Sequence, residues 1–323
     1  MQFEEVPDPE IGPYDALVRI EICGICNSTD LKLIEGTMFW APPFPIVLGH
    51  ESAGTAIEVG KRVRKFKPGD VVTRPVAWWP GERETPHIAI GGFAEYGIVR
   101  DSEAMAADGD PSLLKDALAL HQVVVPEGIG VRDAALAISL GETASVLQFL
   151  PNLRGKRLVV AGTGIAGLAF TLWAKLAGAF VVCLGRRSER LELARKLGAD
   201  ETVDTRRSDF LDEMRAKARG CADGMIEATG DARLAEAILE ALSPDGFASA
   251  YGVPPKGIDY SSRWKPAETA EHLTIPWVCD LILRKWVDPD WFATHEWPFE
   301  EAVEAFDRVR RREVVKGFLR IHG

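Results

Sequence analysis

The feature that most constrains this fold is a glycine-rich turn between an apolar strand, RLVVA, and an apolar helix. A second apolar strand, FVVCLG, and a second helix, SERLELARKLG, follow directly. Because apolar strands alternate here with amphipathic helices, the segment predicts βαβ units and a parallel sheet with right-handed crossovers. We therefore expect a protein of the α/β class with a doubly wound domain.

The turn matches the pattern G-x-G-x-x-G, which is typical of dinucleotide sites in Rossmann domains. Gly162 would allow the tight turn, Gly164 the approach of a pyrophosphate, and Gly167 the packing of helix on strand. Free N–H groups at the helix N-terminus would bind the pyrophosphate. The alternative is a turn without a ligand, which the surrounding βαβ pattern disfavours. The predicted cofactor-binding residues of the turn are Gly162, Thr163, Gly164, Ile165, Ala166 and Gly167.

The end of the second strand indicates which dinucleotide binds. An NAD site usually carries Asp or Glu there, to bind the ribose 2′-OH, whereas this chain reads Gly185-Arg186-Arg187. Two guanidinium groups in place of an acid favour a 2′-phosphate. NADP(H) is therefore the predicted cofactor. The alternative is that both arginines are surface residues, paired with Glu189 or Glu192.

Composition limits the partners. The chain has 323 residues, of which 46% are hydrophobic, and this length suits two domains with separate cores. A formal net charge of -10 argues against a nucleic-acid binder, because phosphate affinity comes mainly from clustered Lys and Arg. No apolar run reaches the roughly 20 residues that span a bilayer, and the first ten residues do not look like a signal peptide. We expect a cytoplasmic protein with small-molecule partners, without nucleic acid or membrane.

Cysteine, histidine and carboxylate residues form a second pattern near the N-terminus. Five scattered cysteines favour reduced thiols over disulfides, and only Cys23 and Cys26 are close together. Gly49-His50-Glu51 follows after a loop rich in Pro and aromatic residues. These side chains are the ligand types of a catalytic zinc site with one open position. The alternatives are a CxxC redox pair, which no thioredoxin-like βαβ follows, and a satisfied buried histidine.

Several segments, in this order, resemble the zinc-dependent medium-chain alcohol dehydrogenases. They are CGICNSTDLK, PIVLGHESAGTAIEVGKRVRKFKPGDVV, GGFAEYGIV, the glycine turn, GVPP and VVKGFLRI. The resemblance spans essentially the whole chain. It implies a GroES-like, mostly β catalytic domain at 1–142 and 265–323 and a Rossmann NADP-binding domain at 143–264. Short β-type runs broken by Gly and Pro in the first third agree with this. It also implies a homodimer or homotetramer. By the same resemblance, the sequence starts at a point where family members have already completed a first strand, which indicates either a shortened start or a trimmed lobe.

The resemblance also assigns residues to the site. It implies that Cys26 and His50 bind the catalytic zinc and that Glu51 binds it or stands just outside its shell. Glu142 matches a further acid that polyol-type members carry, and Glu51 and Glu142 complete the predicted metal residues. The remaining cofactor contacts that it implies are Tyr251, Gly252 and Val253 beside the nicotinamide and Lys316 at the pyrophosphate.

The chain departs from the family pattern at the hydroxyl that passes on the substrate proton. One extra residue precedes Asp30, so either Ser28 or Thr29 can be this hydroxyl, and we favour Thr29 because it keeps its place beside Asp30. Lys32 stands where many members carry a histidine that relays the proton to solvent. The relay therefore runs through Lys32 or bypasses it.

A second departure concerns the structural zinc of the family. The stretch from Val76 to Gly91 contains Trp78, Trp79 and His87 but no cysteine, so we expect one catalytic zinc and no structural zinc. Aromatic residues in short β domains are more often core than pocket wall. The candidates for the pocket wall are Phe39, Trp40, Trp78 and Trp79.

The expected activity follows from the implied site. Zinc would act as a Lewis acid, and a hydride would move between the alcohol carbon and NADP(H). An acid-rich shell, Glu51 with Glu142, resembles polyol and sugar dehydrogenases, so we expect a secondary alcohol or ketone that is polyol- or sugar-like. The predicted use of NADPH favours reduction of the ketone as the physiological direction of the reaction. The rivals are a zinc-free enone or quinone reductase of the same superfamily and a non-catalytic NADP-binding protein.

Overall fold

The structure, a computed structural model, describes residues 1–38, 40–41, 44–80, 90–109 and 121–322. The chain forms two compact units, Met1–Gly141 with Glu271–Gly323 and Glu142–Ala270. Each unit contains its own six-stranded sheet, and the predicted α/β class is confirmed. In the part of the chain that is described, no helix is both long and apolar enough to cross a membrane.

Strands and helices are numbered here in chain order. The strands are β1 (Asp15–Ile25), β2 (Glu51–Val59), β3 (Val71–Thr73), β4 (Tyr96–Arg100), β5 (Arg157–Ala161), β6 (Phe180–Gly185), β7 (Glu201–Asp204), β8 (Ala222–Glu227), β9 (Leu242–Ala250), β10 (Lys265–Pro266), β11 (Ala293–Pro298) and β12 (Lys316–Arg320). The α-helices are α1 (Thr29–Ile34), α2 (Ser102–Ala107), α3 (Val131–Val146), α4 (Ile165–Leu176), α5 (Ser188–Lys196), α6 (Phe210–Lys217), α7 (Ala232–Leu239), α8 (Glu271–Leu283) and α9 (Ala302–Arg310). Short 3-10 helices occupy Leu147–Phe149, Pro289–Trp291 and Phe299–Glu301.

The first unit is built around a mixed sheet in the order β11-β12-β1-β2-β3, with β4 also paired to β1. β1 runs antiparallel to β2, β4 and β12 and is the longest strand of the sheet. Its alternate residues Ala16, Val18, Ile20 and Ile22 are buried, as the two-residue period of a strand requires. Their burial fixes the register of β1, because a slip of one residue would turn the apolar face outward.

The second unit contains a parallel sheet in the order β10-β9-β8-β5-β6-β7. The order reverses between β5 and β8, which makes their carboxyl ends the expected ligand edge of a doubly wound sheet. Buried valine and methionine side chains of β5, β6, β7 and β8 fill one core of this unit. The strand and helix pattern predicted from the glycine turn onward is therefore present.

The C-terminal sequence PFEEAVEAFDRVRRREVVKGFLRIHG predicts one helix followed by one strand, with Ala302, Val303, Phe306 and Val309 on the inner stripe of the helix. The structure forms this helix, α9, and this strand, β12. One expected core position is wrong: we placed Val303 on the inner stripe of the helix, but its exposed fraction is 58%. The buried stripe is formed by Ala302, Ala305, Phe306 and Val309. These four follow the 3.6-residue period more closely than a stripe through Val303, which lies outside the buried face.

A buried polar cluster holds the start of α8. An Oε1 atom of Glu271 lies 3.0 Å from a guanidinium nitrogen of Arg74 and 2.9 Å from Nδ1 of His121. Burial by itself would raise the pKa of Glu271, but the hydrogen bond from His121 and the charge of Arg74 outweigh burial and hold the pKa well below its usual value. Glu271 is therefore ionised and paired at neutral pH.

Candidate active site

Three of the four predicted metal ligands come together at one point of the first unit. Ligand atoms of Cys26, His50 and Glu51 all lie within 4.8 Å of one another. A thiolate, an imidazole and a carboxylate form a donor set typical of catalytic zinc, so this group of residues fits a zinc ion. Glu142 is not a member of the group. It is the first residue of the second unit, and its predicted role as a ligand stays a prediction.

The sheet register explains why residues distant in sequence meet here. Gly24 of β1 pairs with Glu51 of β2, so the end of one strand lies beside the start of the other. Cys26 directly follows β1, and His50 directly precedes β2. A Cβ atom at Gly24 would lie only 2.8 Å from Oε2 of Glu51, so glycine leaves the space that the carboxylate occupies.

Asp30 holds two of the candidate ligands in place. Its carboxylate accepts a 2.8 Å hydrogen bond from the backbone N–H of Cys26 and lies 3.2 Å from Nδ1 of His50. Asp30 is fully buried at the start of α1. A carboxylate on one ring nitrogen fixes the tautomer of a histidine ligand, and this leaves Nε2 of His50 to bind a metal.

Cys26 and His50 also influence each other's protonation. Burial by itself would raise the pKa of the Cys26 thiol, but the hydrogen bond and charge of His50 outweigh burial and lower the pKa to about 7. For His50, burial would lower the pKa, whereas the charge and hydrogen bond of Asp30 raise it to about 9. The pair therefore favours a thiolate. A divalent cation bound here would displace the imidazole proton.

Glu51 is held by two donors. Ser139 Oγ donates a 2.6 Å hydrogen bond to Oε1, and Nζ of Lys316 donates to Oε2. Nζ of Lys316 also donates to the backbone carbonyl of Ile25, at 3.2 Å. Lys316 is buried, and burial lowers its pKa. The structure thus places Lys316 against Glu51, and its predicted contact with the pyrophosphate stays a prediction.

The two candidate hydroxyls have different surroundings. Nζ of Lys32 donates a 3.1 Å hydrogen bond to Ser28 Oγ. At Thr29, the backbone N–H donates a hydrogen bond to Sγ of Cys26 at 3.4 Å. Ser28 and Lys32 therefore form a connected pair, which was the less favoured choice in the sequence.

The glycine-rich turn has the geometry that the pattern requires. Gly162 has φ +124°, and a Cβ atom at Gly167 would lie 2.1 Å from the carbonyl oxygen of Gly162. Only glycine fits both positions. By contrast, a Cβ atom at Gly164 would meet nothing within 4 Å, so open space lies in front of the backbone there. Thr163 lies between Gly162 and Gly164, and Ile165, Ala166 and Gly167 form the first turn of α4. The open N-terminus of α4 fits a pyrophosphate.

Gly185, at the end of β6, lies close to this turn. A Cβ atom at Gly185 would lie 2.5 Å from Cγ2 of Thr163. Asp204 of β7 pairs with Gly185 across the sheet, but its carboxylate lies 2.6 Å from a guanidinium nitrogen of Arg206. The hydrogen bonds from Arg206 hold the pKa of Asp204 at about 2. Asp204 therefore already has a cationic partner.

The two predicted phosphate-binding arginines follow Gly185. Arg186 is exposed, and its guanidinium lies 3.3 Å from a carboxylate oxygen of Asp231, not beside the Glu189 or Glu192 of the alternative interpretation. Arg187 occupies the N-cap position of α5. Both are placed at the strand end where the ribose of a dinucleotide binds in Rossmann domains.

The predicted nicotinamide contacts, Tyr251, Gly252 and Val253, lie just beyond the carboxyl end of β9. The backbone N–H groups of Tyr251 and Gly252 donate to the carbonyl oxygen of Glu227 at 2.9 and 3.0 Å. This links the segment to the end of β8. The segment thus lies at the ligand edge of the parallel sheet.

The predicted aromatic pocket wall receives little support. Trp40 packs against a buried cluster that contains Leu33, Met38 and Ile90, and Trp78 packs against Val76. Such packing is typical of core residues. Phe39 and His87 lie outside the described residues.

Sequence reasoning missed several residues that shape the site. Asp30 was noted only as a neighbour of Thr29, although its spacing of four from Cys26 across a turn could have indicated a role. Ser139 and Lys316 reach Glu51 from distant segments, so no local pattern could have found these contacts.

Two family models match the chain. The alcohol dehydrogenase GroES-like domain matches residues 12–108, and the zinc-binding dehydrogenase model matches residues 166–271. These matches confirm the predicted combination of a GroES-like domain with a Rossmann domain.

Known proteins resemble the chain over almost its full length. The chain is 29% identical to sorbitol dehydrogenase from Gallus gallus. The alignment is 340 residues long and covers 99% of this chain and 93% of that protein. The structure is similar to alcohol dehydrogenase TADH from Thermus sp. ATN1, with a TM-score of 0.78, 25% identity, and 99% and 96% of the two chains covered. It is also similar to a putative zinc-binding dehydrogenase from Sinorhizobium meliloti bound to NADP, with a TM-score of 0.78, 25% identity, and 98% and 94% covered.

Proposed function

Because the chain belongs to the zinc-type medium-chain dehydrogenase family, we propose that it transfers a hydride between NADP(H) and a secondary alcohol or ketone. The two family models together span well over half of the chain. The observation that carries the proposal is the group formed by Cys26, His50 and Glu51, which brings zinc-type ligands to one point.

The residues around this point have separate tasks. A zinc ion bound there supplies a Lewis acid for the substrate oxygen and lowers the pKa of an alcohol. Cys26 and His50 bind the ion, and Asp30 keeps the imidazole in the orientation that presents Nε2. Glu51, held by Ser139 and Lys316, contributes a negative charge next to Cys26 and His50.

The proton of the alcohol leaves through Ser28 and Lys32. Lys32, whose Nζ lies 3.1 Å from Ser28 Oγ, first releases a proton to solvent; its neutral amine then accepts the hydroxyl proton of Ser28 while Ser28 accepts the proton of the alcohol. Lys32 is half-buried on α1, so its ammonium group connects this hydroxyl with solvent. The 3.1 Å contact favours Ser28 over Thr29 as the first member of the route.

The coenzyme is NADP(H). Arg186 and Arg187 supply positive charge after β6, where an NAD site usually carries an acid. Asp204, the acid opposite Gly185, is bound by Arg206 and does not face the ribose as a free carboxylate. The similar Sinorhizobium meliloti protein was solved with NADP, which agrees with this choice.

The substrate is a secondary alcohol of the polyol or sugar type, or the corresponding ketone. The similarity to sorbitol dehydrogenase along nearly the whole chain supports this class. The sequence led us to associate Glu51 together with Glu142 with polyol substrates; Glu51 lies beside Cys26 and His50, and a role for Glu142 is part of this proposal.

A panel of substrates with metal analysis tests the proposal. We expect the purified protein to contain one zinc per chain and to oxidise polyols with NADP⁺, measured at the nicotinamide absorbance band. A strong chelator should abolish turnover, and added zinc should restore it. Turnover of an enone by zinc-free protein would instead identify a reductase of the other type. NADPH binding without turnover of any alcohol or ketone would identify a non-catalytic binding protein.

A further inference from the structure

Glu227 is a fully buried carboxylate at the carboxyl end of β8. It accepts hydrogen bonds from the hydroxyl of Thr229, the backbone N–H of Gly230 at 3.1 Å, and the hydroxyl of Tyr260. Among the described residues, no Lys, Arg or His forms an ion pair with it. A buried carboxylate is costly unless it is fully hydrogen-bonded, so these donors must remain in place for the strand end to keep its structure.

Tyr260 connects this carboxylate with the next loop. Its hydroxyl reaches Glu227 Oε2 and lies 3.0 Å from the carbonyl oxygen of Gly252. The backbone N–H of Gly252 in turn donates to the carbonyl oxygen of Glu227, at 3.0 Å. Gly252 is therefore held at both its N–H and its C=O group. The loop that follows β9 is fixed against the end of β8 by these two contacts.

The loop that follows β8 and the loop that follows β9 pack closely against each other. A Cβ atom at Gly252 would lie 2.3 Å from Glu227 Oε2, and a Cβ atom at Gly230 would lie 2.6 Å from the carbonyl oxygen of Val253. Gly230 also has φ +75°, which other residues rarely adopt. The two glycines let the loops approach so closely that the Glu227 carboxylate is enclosed between them.

We propose that Glu227 and Tyr260 are positioning residues that hold the segment from Tyr251 to Val253 in the geometry that binds the nicotinamide half of the coenzyme. This inference rests on the proposed function, which places that segment beside the nicotinamide. Neither side chain needs to touch the coenzyme. They act through Gly252, whose backbone they fix.

The chemistry of the pair suits such a task. A hydrogen bond to a carboxylate is stronger than one between neutral groups, and it keeps its geometry better in a buried site. Burial and the nearby charge of Glu227 raise the pKa of Tyr260 far above its usual value, so the phenol remains a donor at every physiological pH.

Two ligands separate positioning from general damage. NADPH contains the nicotinamide, whereas adenosine 2′,5′-bisphosphate contains only the adenosine half of the same coenzyme. We expect Tyr260→Phe and Glu227→Gln to weaken NADPH binding by about tenfold, the cost of one hydrogen bond to a charged group, and to leave bisphosphate binding within about twofold. Affinities are measured by titrating the intrinsic fluorescence of the protein.

Asp223→Asn is the matched control. Asp223 lies on the same strand as Glu227 but near its other end, where it binds Arg157 at 2.9 Å, so its loss changes a carboxylate to an amide away from the ligand edge. This variant should bind both ligands as the wild type does. If Glu227→Gln fails to fold, Tyr260→Phe, which removes one oxygen atom, decides the question.

The other outcomes overturn the inference in distinguishable ways. Unchanged NADPH affinity in Tyr260→Phe rules out a positioning role, and so does an equal loss of affinity for both ligands. Wild-type protein that binds neither ligand would overturn the proposed coenzyme and, with it, this inference. If the wild-type protein binds both ligands and both variants bind NADPH as tightly as the wild type, the proposed function stands and only the role of the pair is removed.

Discussion

The carboxylate of Asp30 lies 3.2 Å from Nδ1 of His50 and also accepts the backbone N–H of Cys26 at 2.8 Å. One buried side chain thus fixes two of the candidate metal ligands. The strength of metal binding should depend on this residue although it is not itself a ligand.

Replacement of Asp30 by Asn should lower zinc affinity by about 10- to 100-fold, because an amide no longer sets the tautomer and basicity of His50. The affinity is measured by competition with a coloured chelator. Asp70→Asn, which changes a carboxylate in a surface turn, is the control and should bind zinc normally. Equal affinity in the two variants would contradict the orienting role of Asp30.

Replacement of Cys26 by Ala should remove zinc and turnover together while coenzyme affinity stays within about twofold, because the glycine turn belongs to the other compact unit. Cys23→Ala is the matched control. Cys23 is buried in β1, where its thiol faces the carbonyl oxygen of Gly24 at 3.7 Å, so this variant should keep its zinc. Elemental analysis and turnover would be measured on the same samples, and full zinc content in Cys26→Ala would count against the assigned site.

Replacement of Ser28 by Ala should reduce kcat for alcohol oxidation by about 10²- to 10⁴-fold, the usual contribution of a positioned proton-transfer group. Thr29→Val should have a much smaller effect, because the pair with Lys32 is formed by Ser28. Lys32→Met should slow turnover, and small amine buffers should restore part of the rate. A larger loss in Thr29→Val than in Ser28→Ala would return the role to Thr29.

Replacement of Arg187 by Ala should weaken the binding of NADP⁺ by about tenfold or more and leave the binding of NAD⁺ almost unchanged. The reason is that only NADP⁺ carries the 2′-phosphate that a guanidinium binds. Arg195→Ala provides a control from the same helix, α5, where Arg195 pairs with Glu192 at 3.0 Å. Steady-state KM values for both coenzymes test the difference. Parallel losses for NAD⁺ and NADP⁺ would argue against a phosphate contact.

Replacement of Glu271 by Gln should destabilise the protein at neutral pH by about 1–3 kcal/mol, because Arg74 and His121 lose their ionised partner. The pKa of Glu271 is lowered in the folded protein, so its contribution is complete above the usual carboxyl pKa and disappears as the pH falls toward the lower folded value. The difference in unfolding free energy from the wild type should therefore be constant from pH 7 to about pH 5 and shrink in stronger acid. Glu300→Gln, at an exposed position, should show neither effect.

The second unit could be predicted in detail because its patterns are local. The strand before Gly162, the three glycines and the helix after them follow one another within a few residues, and each has a direct geometric requirement. The period of the helix that contains Val303 was less certain, since alanines and valines at neighbouring positions fit more than one stripe.

The first unit shows where sequence reasoning ends. Cys26 and His50 could be identified as candidate ligands from their types and from the family resemblance. The contacts of Ser139 and Lys316 with Glu51, however, depend on strand pairing between distant segments. Likewise, the sequence led us to favour Thr29 over Ser28, whereas Ser28 Oγ lies 3.1 Å from Nζ of Lys32, a contact that depends on how the chain enters α1.

The pairing of Gly24 with Glu51 gives the metal site an assembly order. Cys26 and His50 are brought together only once β1 and β2 have paired, so an unfolded chain offers an incoming ion no preformed pocket. An ion bound there links these two strands, and its binding free energy adds to the free energy of unfolding of the protein.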